Sequence, residues 1–206
     1  MIDELRADSV IFENPEWNLD SRIAVVSYAT GDASSQGGNY YYNGTGMYKG
    51  EGSGEASFYK YQRNNGDAES IPLAESIYGD AFMSVLDDYD AAHNAIDAIT
   101  LHPYTAMHLG MEMAQGVIEE TAARTTSSQD DHYNKYYDQD AREWKVRPKV
   151  VILFTDGVSG NIAYSNKSVV ESIEHANAIK ATGAKIYTVG LVSRTMFTQH
   201  GDCWHG

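Results

Sequence analysis

Residues 150–154 read Val-Val-Ile-Leu-Phe, a β-branched and apolar run with no polar residue inside it. A run without polar alternation marks a strand covered on both faces, which is the setting of a parallel sheet. The run passes into Thr155-Asp156-Gly157. Helical patterning follows over Val169–Thr182, with Ser168 as the expected N-cap and Gly183 as the stop. A second strand is expected at Lys185-Ile186-Tyr187-Thr188-Val189-Gly190-Leu191. Strands separated by helices predict a parallel α/β sheet, and in such sheets ligands sit in the loops at the strands' carboxyl ends.

The rest of the chain extends this pattern. Ile2, Leu5, Ser9 and Phe12 fall at helical spacing and predict a helix over 2–12 that Pro15 stops. Arg22-Ile23-Ala24-Val25-Val26-Ser27-Tyr28 reads as a buried strand. Residues 80–99 carry helical or short-strand patterning. From Thr105 to about Ala123 a helix is expected, with Ala106, Leu109, Met113 and Val117 as its apolar stripe. Two stretches break the pattern. Gly31 to Asp67 is rich in glycine, tyrosine, serine and asparagine with no sustained period, and residues 124–147 are polar. We read the chain as one domain, 1–206, with insertions at about 31–79 and 124–147.

The 206 residues include 15 basic and 29 acidic side chains, for a net charge of −14. That balance argues against nucleic-acid binding, which needs a basic face. Mean hydropathy is −0.44, and no apolar run approaches the roughly 18–20 residues of a membrane span. The lone Cys203 cannot form an internal disulfide.

Two places carry chemistry-bearing residues at strand or helix ends. Asp156 follows the strongest strand, and a carboxylate there is a natural ligand for a hard cation or a turn and N-cap residue. Thr105 opens a helix, where its hydroxyl serves either as an N-cap or as a metal ligand. His102, His108, His175, His200 and His205 are scattered and read as surface or packing residues.

In this order the elements resemble the von Willebrand factor A family, the family of integrin inserted domains. The resemblance rests on Thr105 opening a helix, the small-then-bulky pair Gly110-Met111, Ala114, the Thr155-Asp156-Gly157 turn and the closing Gly183–Gly190 segment. It covers roughly residues 1–30 and 80–192. It implies a doubly wound, mostly parallel, Rossmann-like sheet in the order 3-2-1-4-5-6. It implies a metal-ion-dependent adhesion site holding Mg²⁺ or Mn²⁺, with Thr105 as the second-loop ligand and Asp156 as the third-loop carboxylate. The family's first loop carries D-x-S-x-S on a central strand. This chain begins at the family's first helix, so that strand is expected to be missing. Asp32-Ala33-Ser34-Ser35-Gln36 ends in Gln and comes after the second strand, and so does not replace it. The divalent cation is therefore expected only for a complete domain.

The resemblance implies a binding module, not an enzyme, with a protein or extracellular-matrix ligand, no nucleic acid and no membrane segment. The Gly/Tyr-rich stretch and the Ile186-Tyr187-Thr188-Val189-Gly190 ending resemble bacterial cell-surface and pilus-tip members, and that likeness implies an extracellular or cell-surface protein. The alternative is an intracellular adaptor of an AAA-type ATPase. A haloacid-dehalogenase-type phosphatase would need its nucleophilic Asp where Phe154 stands.

Overall fold

The computed structural model describes residues 1–7, 21–29, 34–36, 39–50, 56–63, 70–71, 78, 81–100, 105–123, 135–138, 140–155 and 165–190. In chain order the elements are α1 (Ile2–Ala7), β1 (Arg22–Ile23), β2 (Val26–Ser27), β3 (Ser34–Gln36), β4 (Asn39–Gly50), β5 (Ala56–Arg63), β6 (Ser70–Ile71) and β7 (Met83–Ser84). They continue with α2 (Tyr89–Asp97), α3 (Met107–Ala123), β8 (Lys135–Asp138), β9 (Glu143–Val146), β10 (Val150–Thr155), α4 (Ser165–Ala181) and β11 (Lys185–Gly190).

The fold is mixed α/β, and among the described residues its strands form four separately hydrogen-bonded sheets. The parallel one is β10–β11, in register from Val150↔Lys185 to Thr155↔Gly190. The cover on both faces expected of Val150–Phe154 is not found: Val151 and Leu153 pack against the core, whereas Val150, Ile152 and Phe154 are 47%, 43% and 50% exposed. The largest is antiparallel, in the order β2-β4-β5-β6 with β3 also on β4. The expected strand over 22–28 is split. Its first half pairs antiparallel with β7 and its second half antiparallel with β4. Nearby antiparallel partners thus take the hydrogen bonds expected of parallel neighbours.

Residues 39–50 and 56–63, which read as part of an insertion, form the two longest paired strands among the described residues. Their ladder shifts register between Tyr41 and Gly46. Gly44 sits inside that shift at φ 69°, a left-handed conformation that glycine adopts without a Cβ penalty. Both faces of this sheet are covered. Met47 and Tyr61 join Leu109, Met113 and Val117 of α3 in one core. Tyr48 joins Ile2, Met83, Ala91, Ala92 and Ala95 on the other face.

Helix α3 connects the two halves because it carries two apolar stripes. Ala106, Leu109, Met113 and Val117 face the antiparallel sheet. Met107, Met111, Ala114 and Ile118 face β10–β11 and Ile179 of α4. Both sets follow helical i, i+3/i+4 spacing, so one helix serves two sheets. Tyr61, fully buried, donates its hydroxyl hydrogen bond to Glu112 Oε2 at 2.8 Å and ties the sheet to α3.

Helix α4 starts at Ser165, three residues before the expected N-cap Ser168, and stops as expected. Gly183 takes φ 89° and its amide bonds the Lys180 carbonyl at 3.0 Å. Of the expected 2–12 helix, Ile2–Ala7 is helical and residues 8–20 lie outside the described residues. Among the described residues, no helix is long and apolar enough to cross a membrane.

Candidate functional site

The crossover β10-α4-β11 fixes a direction. Helix α4 starts beyond the carboxyl end of β10 and ends before the amino end of β11, so it runs antiparallel to both strands. Two polar contacts then orient α3. His108 Nδ1 lies 2.9 Å from Ser168 Oγ, and His175 Nδ1 lies 2.8 Å from Gln115 Oε1. Both contacts advance seven residues along each helix, about 10 Å of rise. Helices α3 and α4 therefore run parallel and in step. Their amino ends share the carboxyl edge of the β10–β11 pair.

Thr105 lies at that edge, half-buried, two residues ahead of Met107. Ala106, not Thr105, occupies the N-cap position, and its carbonyl accepts from Leu109 N at 3.0 Å. The Thr105 hydroxyl is thus displaced from the usual capping position. Thr155, the last residue of β10, ends at the same edge. Asp156, the expected carboxylate, lies outside the described residues.

Tyr28 braces this edge. Its hydroxyl donates to the carbonyl of Phe154. Its ring lies on α3 at Gly110, where a Cβ would meet Tyr28 Cδ1 at 2.6 Å and Cγ at 2.9 Å. Gly110 is therefore small for a packing reason: an aromatic ring lies against the helix backbone. The ring links the end of the 22–28 segment, the first turns of α3 and the end of β10. The sequence marks Gly110 as the small member of the Gly110-Met111 pair and leaves Tyr28 unmarked; no periodicity joins the two.

His108 is a packing residue with polar duties. Its Nε2 also lies 3.7 Å from Glu171 Oε2, and both side chains are mostly covered. His175 is held by Gln115, whose Nε2 donates to Glu119 Oε1 at 2.7 Å. Ser168, expected to cap α4, instead meets His108 within the helix seam. His102, His200, His205 and Cys203 lie outside the described residues.

Of the two expected ligands, Thr105 is the one that the described residues place at this edge. Hydroxyl and carboxylate oxygens are the ligands Mg²⁺ takes, and it requires near-octahedral coordination, retaining waters where protein ligands are few. Among the described residues, no group of three or more His, Cys, Asp or Glu side chains is arranged to hold a metal. Two helix amino ends at one edge add a local positive potential that favours an anionic group nearby.

Compared with known families, curated proteins and solved structures, the chain matches none.

Proposed function

We propose that this chain is a von Willebrand factor A-type ligand-binding module, with a doubly wound architecture and a cation-assisted site at the carboxyl edge of β10–β11. The observation that carries the reading is the in-step packing of α3 and α4. It brings Thr105 to the edge where β10 delivers the chain to Asp156. Those are two of the three loops from which the family builds its adhesion site. The third, D-x-S-x-S, does not occur in the sequence.

With two protein ligands, Mg²⁺ or Mn²⁺ binds weakly, and a carboxylate from the ligand protein would add a further oxygen to the coordination shell. In this reading Thr105 would supply a hydroxyl and Asp156 a carboxylate, and Tyr28 ties the first turns of α3 to the end of β10. The partner is a protein or matrix component with an exposed acidic side chain. The setting is the cell surface, and the activity is binding rather than catalysis.

The test is adhesion of the chain to a panel of purified extracellular-matrix proteins in Mg²⁺ or Mn²⁺ and in chelator. Binding that requires the cation and disappears in Asp156→Ala supports the reading. Binding that persists in chelator and in Asp156→Ala rejects it.

A further inference from the structure

The Gly44-Thr45-Gly46 tripeptide lies in an enlarged bulge of β4. Between the pairs Tyr41↔Gln62 and Gly46↔Lys60, β4 advances five residues while β5 advances two. Gly44 turns the chain at φ 69°. At Gly46 a Cβ would run into the Tyr59 carbonyl oxygen and meet Phe58 Cζ at 2.6 Å. Thr45, between them, is fully buried. Bulges re-aim side chains next to functional sites, and this one aims Thr45 at the 26–29 segment.

There the bulge grips both chain neighbours of Tyr28. On one side, Ser27 pairs with Gly46 and its hydroxyl donates to the Gly44 carbonyl at 2.9 Å. On the other, Thr45 Oγ1 accepts from the Ala29 amide at 2.8 Å and donates to the Ala29 carbonyl. One hydroxyl thus satisfies both backbone polar groups of a buried residue, which an apolar side chain could not do. Held between these grips, Tyr28 reaches Gly110 of α3 with its ring and the Phe154 carbonyl with its hydroxyl. A short line of contacts therefore runs from Thr45 through Ala29 and Tyr28 to Phe154, two residues before Asp156.

We propose that Thr45 is a positioning residue of the carboxyl edge: by gripping Ala29 it fixes Tyr28, and Tyr28 fixes the end of β10 against the first turns of α3, where Thr105 lies. The inference rests on the cation reading of that edge and gives the Gly/Tyr-rich stretch a part in the site. Mg²⁺ demands near-octahedral geometry with ligands at about 2.0–2.1 Å. The two loops must then keep their separation to within about 0.5 Å. Groups that hold metal ligands in place are commonly worth about 10–100-fold in metal affinity. Thr45 acts through Tyr28 rather than on the ligands directly, so the lower end of that range is expected.

The experiment is nuclear magnetic resonance of the full chain, with two readings on each sample. The first is the carbonyl carbon resonance of Phe154, which reports whether that carbonyl still accepts the Tyr28 hydroxyl. The second is the Mn²⁺ concentration that half-broadens the Thr105 amide. Thr45→Val removes one grip, Ser27→Ala loosens the other at lower cost to the fold, and Tyr28→Phe cuts the link itself. Both grip variants are expected to move the Phe154 resonance towards its Tyr28→Phe position. Thr45→Val is expected to raise the Mn²⁺ concentration about tenfold and Ser27→Ala by less, while Thr45→Ser keeps both readings. Added to Tyr28→Phe, neither grip variant should change either reading further. A Phe154 resonance that ignores both grip variants overturns the proposal. So does a Phe154 shift with no loss of Mn²⁺ binding, or a Mn²⁺ effect of equal size with and without the Tyr28 hydroxyl. An original chain in which Mn²⁺ spares Thr105 rejects the cation reading instead, and the Phe154 resonance then still decides whether the bulge positions the edge.

Discussion

Replacing Gly110 with alanine opposes two effects of known sign. In a helix interior alanine is favoured over glycine by about 1 kcal/mol, so the substitution ought to stabilise α3. The added Cβ would approach Tyr28 Cδ1 at 2.6 Å, Cγ at 2.9 Å and Cβ at 3.1 Å. These are the atoms nearest the Tyr28 backbone, and its hydroxyl is bonded to the Phe154 carbonyl, so the ring cannot swing clear without losing that contact. Overpacking of this kind costs about 1–3 kcal/mol. The steric term wins, and Gly110→Ala is expected to lose about 1 kcal/mol net, a fall of about 2–4 °C in Tm for a chain of this size. The decisive comparison is the same substitution in a Tyr28→Ala background. Removing the ring deletes the two shortest approaches, and Gly110→Ala should then stabilise by about 0.5–1 kcal/mol. Denaturant melts of the four proteins measure the change of sign. A Gly110→Ala effect that is equal in both backgrounds would refute the bracing role of Tyr28.

Two further outcomes test other parts of the fold. Thr45 is fully buried, accepts from the Ala29 amide at 2.8 Å and donates to the Ala29 carbonyl. Thr45→Val strands both backbone groups and is expected to cost about 2–4 kcal/mol, while Thr45→Ser keeps the bonds and costs far less; equal losses in denaturant melts would contradict this. Asp3 is held below the usual carboxylate range chiefly by the Tyr89 hydroxyl, with His93 adding to it, and Tyr89 is pushed up chiefly by Asp3. A depressed carboxyl stabilises above its unfolded pKa of about 4 and loses that contribution as pH falls through the folded value. A raised phenol stabilises below its unfolded pKa of about 10 and loses it as pH rises through the folded value. The Asp3–Tyr89 hydrogen bond between α1 and α2 is thus expected to weaken at pH below about 4 and above about 10, which the chemical shifts of α1 residues report; shifts that follow neither transition would count against this contact.

The parallel pair was legible because its signal is local and redundant. Val150–Phe154 has no polar interruption, and Gly183 ends α4 where its φ of 89° demands glycine. The Ala106, Leu109, Met113, Val117 stripe of α3 was legible for the same reason. Its second stripe, Met107, Met111, Ala114 and Ile118, was hidden, since a helix buried on two sides shows less contrast between its faces. Strands β4 and β5 were hidden by a similar effect. Met47 and Tyr48 are adjacent and both buried, one on each face, so no period of two survives, and the register shift around Gly44 breaks what remains. At the candidate site, Thr105 was found from its place before a helix, but the Tyr28–Gly110 contact joins residues 82 positions apart. Only the folded chain reveals it.

The central claim is that Thr105 and the end of β10 share one cation-binding edge. Paramagnetic broadening of amide resonances by Mn²⁺ measures this directly, because it detects weak binding and reports position. Substoichiometric Mn²⁺ is expected to broaden Thr105–Leu109 and Leu153–Thr155 ahead of the rest of the chain, and Asp156→Ala is expected to abolish that selectivity. Broadening spread over the acidic surface, or centred away from α3 and β10 and unchanged in Asp156→Ala, would contradict the account.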